Sequence, residues 1–523
     1  MATHVPPSTF SSTPVDDPVG GFDDRGEDPP REECGVFGVW APGEDVAKLS
    51  YYGLYALQHR GQEAAGIAVA DGAQVLVFKD LGLVSQVFDE QSLASMNGHI
   101  AIGHTRYASG DTSRWANAQP SFHTDTVGGG LALGHNGALV NADDFAGRIQ
   151  VDQGPFRREN RNGTTDADLI GALLAQAVTD EVTVEQAATA LLPEFQGAFC
   201  LTFMDQDTLY AARDPHGLRP LSLGRLERGW VVASETAALD IVGASFVRDI
   251  EPGELLAIDG DGVRSTRFAE PVRRGCVFEY VYLARPDSVI EGRSVHEARV
   301  QIGRLLAEEA PAPGGELVIP VPESGTPAAI GYAQGSGIDY GQGLVKNAYV
   351  GRTFIQPSQT IRQLGIRLKL NPLRDVIAGR SLVVVDDSIV RGNTQRALMR
   401  MLREAGAREV HVRIASPPVK WPCFYGIDFA APSELIANAV GRVGEHDDDL
   451  AETVEAVRRS IGADSLGFIS TDGMVAATEQ PAERLCTACF TGGYPLGVPT
   501  GAHTGPGAQI LGGLDRRDPA HSL

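Results

Sequence analysis

Cys34 opens an alternating apolar stretch, Cys34-Gly35-Val36-Phe37-Gly38-Val39-Trp40, and a thiolate is a strong nucleophile toward a carboxamide carbonyl. Alone, such a cysteine reads as a small buried hydrophobe. Four polar clusters change that reading: His59–Glu63, Gly103–Tyr107, Gly134–Gly137 and Thr165–Asp168. They fall at the ends of apolar segments, where folds display site residues. Between them they hold the remaining groups that glutamine hydrolysis requires. The Asn136 side chain and the Gly137 N–H are aligned donors for an oxyanion. Arg106 offers a planar fork for the substrate carboxylate, and Asp166 a counter-charge for its α-ammonium. A general base is missing from this set. An α-amino group, with a pKa of about 8, is well placed for that work near neutrality. A cut between Glu33 and Cys34, removing residues 1–33, would supply it.

A second constellation lies in Val383-Val384-Val385-Asp386-Asp387-Ser388-Ile389-Val390-Arg391-Gly392-Asn393-Thr394. A continuous apolar run ends in paired carboxylates, and a short loop of small and polar residues leads into a helical pattern. Ligands of open α/β sheets bind at the carboxyl ends of strands. A helix N-terminus with free N–H groups favours phosphate. Asp386 and Asp387 suit neighbouring ribose hydroxyls, while the loop from Ser388 to Thr394 must hold the phosphate. A third set is Cys486-x-x-Cys489, which Cys276 and Cys423 could complete; on spacing alone zinc fits as well as an iron–sulfur cluster. Cys200, inside Gly197–Met204, reads as a buried strand residue.

These sites need two scaffolds. A chain of 523 residues is too long for one typical core. Residues 1–33, rich in Pro, Ser, Asp and Glu, read as a disordered propeptide. Residues 34–270 carry short strand patterns (67–70, 74–78, 131–134, 198–204, 230–233) and helical stretches at 47–58 and 167–178. That mixture implies an α+β layered sandwich. From 271 to 475 the rhythm becomes strand, loop, helix, with runs at 316–321 and 381–385 typical of strands buried on both faces of a parallel sheet. The helix at 395–405 and strand at 409–414 complete a βαβ unit. Residues 476–494 hold the late cysteine pair, and 495–523 read as a flexible tail.

Bulk properties narrow the classes. The 43% apolar and 21% charged content is that of a soluble globular enzyme. No apolar run would cross a bilayer, and no secretory signal precedes the domains. The net charge of −23 opposes nonspecific nucleic-acid binding. Six cysteines are too few for a disulfide scaffold. A cytoplasmic protein with neither nucleic-acid nor membrane partners is expected.

Cys-Gly-Val-Phe-Gly from Cys34, Gln-His-Arg-Gly-Gln-Glu from Gln58, Gly-His-Thr-Arg-Tyr-Ala-Ser from Gly103 and His135-Asn136-Gly137 resemble the glutaminase domain of N-terminal-nucleophile amidotransferases. The resemblance implies an αββα sandwich, with Cys34 as nucleophile and Asn136 and Gly137 as the oxyanion hole. It also implies that Arg106, Ser109 and Asp166 bind glutamine, with Arg60 and Gly61 packing the same binding site. The Asp386–Thr394 segment resembles the phosphoribosyl-diphosphate signature of type I phosphoribosyltransferases, Asn393 standing where Thr is frequent. Pro322–Thr326 is similar to that family's pyrophosphate-side loop, placing Ser324 near Mg²⁺. Lys346–Ile355, with Lys346 and Arg352, resembles the loop that closes over the donor.

Over residues 34–490 the chain thus resembles the glutamine-dependent phosphoribosyl amidotransferases, in their iron–sulfur branch. That implies glutamine and 5-phosphoribosyl 1-diphosphate as substrates, one Mg²⁺ and one [4Fe–4S] cluster per subunit, the latter on Cys276, Cys423, Cys486 and Cys489. It further implies homotetramers inhibited by purine nucleotides. Sugar-isomerase or ATP-pyrophosphatase amidotransferases would leave the Asp386-Asp387 loop unexplained. A non-catalytic donor sensor would have no use for Cys34.

Overall fold

The computed structural model describes residues 34–107, 115–145, 147–149, 165–347, 369–427, 432–440 and 447–499. The expected propeptide, Ser109, Arg352, most of the donor-covering loop and the tail from residue 500 lie outside them. Two antiparallel sheets occupy the first half. In the first, Gly35–Trp40 is central, with Ile100–Arg106 on one side and Gly229–Ala233 on the other. Ala64–Ala70 and Val75–Leu81 extend one edge, Ser222–Leu226 and Ser245–Asp249 the other. The second sheet runs Gly262–Arg267, Glu254–Asp259, Leu209–Arg213, Gly197–Met204, Gly130–Leu139, Ser121–Thr124. Helix Val46–Ala56 covers the first sheet, burying Leu54 against Phe37 and Val39. Helix Asp166–Ala177 covers the second through Ile170 and Leu174. Between the sheets, Val36, Ile102, Ala132, Leu209 and Val232 form a common core. This is the expected αββα sandwich.

One strand is longer than its apolar alternation suggests. The expected 131–134 segment runs from Gly130 to Leu139, because Gly197–Met204 continues pairing alongside it, Asn136 opposite Cys200 and Gly137 opposite Phe199. His135, Asn136 and Gly137 therefore lie within a strand and not beyond its end. Backbone pairing carried the strand through polar residues that alternation had treated as a stop.

The second half contains a parallel sheet in the order Leu317–Pro320, Ser381–Asp386, Glu409–Ile414, Ser465–Phe468. Leu382, Val383, Val384 and Val385 are fully buried, as strands covered on both faces must be. Asn393–Glu404 supplies the crossover helix of the expected βαβ unit. Between the halves, Glu279–Leu283 forms a short π-helical turn. Gly275–Cys276 there pairs in parallel with Leu485–Cys486. Among the described residues no helix is long and apolar enough to cross a membrane.

Candidate functional site

Cys34 is half-buried at the start of the central strand, whose next residue, Gly35, sits opposite Thr105. The two sheets are tied at this level by His104, whose Nε2 bonds the His135 carbonyl at 3.0 Å. Burial pulls the His104 imidazole down to about 3, so it is neutral and structural near pH 7. The residue after His135 is Asn136, 1% exposed, and its Nδ2 has no hydrogen-bond partner among the described residues. A buried amide donor left open costs stability unless something else accepts from it. Gly137 has φ +143°, and an added Cβ would lie 2.1 Å from the Ala198 carbonyl, so only glycine fits.

The other glutamine-side residues approach from separate elements. Arg106 ends its strand half-buried, with Nη1 donating to the Asn117 carbonyl. Asp166 opens its helix after a Thr165 cap, and its Oδ2 accepts from the Leu139 N–H at 2.8 Å. That bond ties Asp166 to the strand that bears Asn136. Gly61 lies so close to the Thr105 and Arg106 backbone that a Cβ there would be 2.6 Å from both carbonyl carbons. The Arg60 guanidinium is 1% exposed and engaged by two carboxylates, Glu235 through Nε and Glu279 at 2.6 and 3.2 Å.

At the second site Asp386 is the last strand residue and Asp387 the first of the loop; each is 6% exposed. Burial and the adjacent Asp387 push the Asp386 carboxyl well above its ordinary value. Burial also raises Asp387, against hydrogen bonds from Ser324 and Ser388 and the nearby Arg299 charge. Gln395 Nε2 donates to Asp386 Oδ2, and Ser388 Oγ to Asp387 Oδ1 at 2.5 Å. Ile389 and Val390 anchor the loop in the core. Arg391 is drawn to Glu434 at 3.0 Å. Gly392, at φ +79°, turns the chain into the helix, where a Cβ would meet Ile436 at 2.3 Å. Asn393 and Thr394 then open the helix, their N–H groups preceding its first internal bond, Arg396 N–H to the Gly392 carbonyl. The Asn393 side chain accepts from Arg396 at 2.7 Å. Lys346 pairs with Glu323, beside Ser324, at 3.1 Å.

The four cysteines grouped by the family resemblance line one cavity, with Arg219, Tyr425 and Tyr494. Burial, aided by Cys423, pushes the Cys486 thiol up to about 12. Burial and the other three thiols raise Cys489 well above its ordinary value. Among the described residues no three ligating side chains converge on a point fit for a single ion.

A glutamine amidotransferase domain family matches residues 104–240. The amidophosphoribosyltransferase of Mycobacterium tuberculosis (strain H37Rv) is 74% identical over 470 residues, 90% of this chain and 88% of that protein. The Mycobacterium leprae amidophosphoribosyltransferase is 72% identical over 476 residues, 91% of this chain and 84% of that one. The chain belongs to the amidophosphoribosyltransferase family. Amidophosphoribosyltransferases are glutamine amidotransferases of the transferase class, acting at the first step of purine biosynthesis. The solved Bacillus subtilis glutamine phosphoribosylpyrophosphate amidotransferase, complexed with ADP and GMP, superposes with a TM-score of 0.78 at 43% identity. It covers 89% of this chain and 98% of its own.

Sequence reasoning missed several residues that the amidophosphoribosyltransferase fold brings to these sites. Arg299, 2% exposed and pulled down to about 10 by burial, is near enough for its charge to act on Asp387. Its signal was present: it shares the apolar stripe of Val295, Ala298, Ile302 and Leu306. Gln395, one residue past the recognised loop, was also missed. Glu235 sits in Ser234-Glu235-Thr236, which offers no pattern at all.

Proposed function

We propose that removal of residues 1–33 exposes the Cys34 amine, which then serves as base while the thiol attacks the glutamine carboxamide. Asn136 Nδ2 and the Gly137 N–H face the oxyanion, Arg106 and Ser109 hold the substrate carboxylate, and Asp166 its ammonium. Arg60 and Gly61 keep these parts in register. The released ammonia displaces pyrophosphate from C1 of 5-phosphoribosyl 1-diphosphate, giving 5-phosphoribosylamine and glutamate. Asp386 and Asp387 accept the ribose hydroxyls, and Ser388, Ile389, Val390, Arg391, Gly392, Asn393 and Thr394 wrap the 5′-phosphate. Lys346 and Arg352 close on the donor. On this reading 34–270 is the glutaminase domain and 271–475 the transferase domain.

Ser324, Asp386 and Asp387 would hold one Mg²⁺, which supplies charge neutralisation for the departing pyrophosphate. The fit is supported by two buried carboxyls, both raised by burial and Asp386 also by the adjacent Asp387, a pair that a cation would relieve. Cys276, Cys423, Cys486 and Cys489 would hold one [4Fe–4S] cluster in a structural role. Supporting it are four thiols that line one cavity, two of which, Cys486 and Cys489, burial makes hard to ionise alone. A homotetramer in the cytoplasm, inhibited by purine nucleotides, completes the proposal; the nucleotides in the Bacillus subtilis relative favour the last element.

The observation that carries this reading is the Asp386–Asp387 pair: two adjacent buried carboxyls at the carboxyl end of a parallel strand, joined by a short loop to the start of a helix. The test is pyrophosphate release from phosphoribosyl diphosphate with ammonium salt as nitrogen source. We expect release with Mg²⁺ and none with EDTA. Release that ignores Mg²⁺, or no release while glutamine is still hydrolysed, would contradict it.

A further inference from the structure

We infer that Glu279, contributed by the segment that follows the two glutaminase sheets, is a positioning residue for the Cys34 site, acting through Arg60. The inference rests on the glutaminase reading above.

Arg60 is clamped from two sides. Its Nη1 and Nη2 donate to Glu279 Oε1 and Oε2 at 3.2 and 2.6 Å, and its Nε donates to Glu235 Oε1. A bidentate fork fixes the plane of a guanidinium, which a point charge would not. Glu235 is itself immobilised: its Oε2 accepts from the Arg285 N–H at 2.9 Å and from Ser288 Oγ at 2.6 Å, and His59 bonds Oε1 at 2.6 Å. Two of those three donors again come from beyond residue 270. Burial opposes charge on Glu235, but Arg60 and His59 overcome it and hold the carboxyl well below its ordinary range. Arg60, Glu235 and Glu279 are each 1% exposed, so none can turn to water if a partner is lost.

What the clamp holds in place is the glutamine site. The Arg60 Cδ lies 3.5 Å from where a Cβ on Gly35 would stand, one residue from the nucleophile. The next residue, Gly61, is wedged against the backbone of Thr105 and Arg106. Arg60-Gly61 therefore spaces the start of the nucleophile's strand from the end of the strand that carries the carboxylate fork. The transferase site is held by other groups: Gln395, Ser324 and Ser388 reach Asp386 and Asp387. Arg299 bonds the backbone carbonyls of Tyr280, Glu279 and Ala284, so its link to Glu279 runs through the main chain that Glu279→Gln leaves in place.

Mere glue between the halves would serve both reactions equally; a positioning role would not. The test compares glutamine-dependent with ammonia-dependent pyrophosphate release in full-length processed protein, for wild type, Glu279→Gln and Glu279→Asp, with iron content measured alongside. For Glu279→Gln we expect the glutamine-dependent kcat/KM to fall about tenfold or more while the ammonia-dependent rate stays within about twofold. Glu279→Asp, which keeps the charge on a shorter arm, should lose less on the same side of the split. It carries the test alone if the Gln variant does not fold. Both rates falling in parallel, or neither falling, would overturn the inference. A wild-type enzyme active with ammonia but not with glutamine would instead overturn the glutaminase reading.

Discussion

Glu235 and Asp386 are both buried carboxylates at the edge of a site, and their environments drive them in opposite directions. Glu235 is met by Arg60, His59, Ser288 and a backbone N–H, which together outweigh its burial. Asp386 accepts from the Gln395 amide and the Asp387 N–H but lies against the Asp387 carboxyl, and burial with that crowding raises it well above its ordinary value. A closed network of this kind fixes shape before any substrate arrives. An open one leaves buried charge that a proton or a cation can relieve. The carboxylate in the first half is thus charge-compensated by its own partners, and the one in the second half is not.

Separating the two halves by mutation gives the largest expected effects. Cys34→Ala should reduce glutamine-dependent synthesis by at least about 10³-fold and leave the ammonia-dependent reaction intact, measured as pyrophosphate release with each nitrogen source. Loss of both would mean that the halves are not separable. Asn136→Ala removes the open donor, and kcat for glutamine hydrolysis should fall by about 10²–10³-fold with a smaller change in KM.

Asp387→Asn should act on the other half. Transfer from either nitrogen source should fall by about 100-fold, while the ligand-free protein becomes more thermostable, by about 2–4 °C. The sign follows from the raised carboxyl. Its folded pKa lies above the unfolded value of about 3.9, so the folded state binds more protons. Stability is therefore lost as pH rises from about 4 through the folded value, and a neutral Asn escapes that loss. Differential scanning at pH 5 and pH 8 checks it: the Asn variant's advantage should be larger at pH 8. The smallest effect is expected from Gly392→Ala, which forces a left-handed residue and a contact with Ile436. It should cost about 1–2 kcal/mol in a denaturant titration and raise the donor KM several-fold.

The same contrast explains what could be read from sequence. The residues expected at the transferase site are local, one strand, one loop and one helix, so a single run of sequence and its resemblance could single out Asp386, Asp387 and the loop to Thr394 together. The glutaminase site draws on segments from Cys34 to Asp166, and no spacing rule predicts that they meet. There, residue types and family resemblance had to substitute for geometry. Alternation also stopped the strand at Gly134, because polar Asn136 looked like a boundary, whereas pairing with Cys200 carries the strand past it. The cross-half clamp of Arg60, Glu235 and Glu279 depends on tertiary contacts more than 170 residues apart in sequence, beyond the reach of periodicity.

The most direct test of two sites working as one enzyme is the ratio of glutamate to pyrophosphate, with glutamine and Mg²⁺ present, before and after phosphoribosyl diphosphate is added. We expect weak glutamate release without the donor and, with it, the two products appearing together in about equal amounts. Glutamate released at the same rate in both cases, with no pyrophosphate, would contradict it.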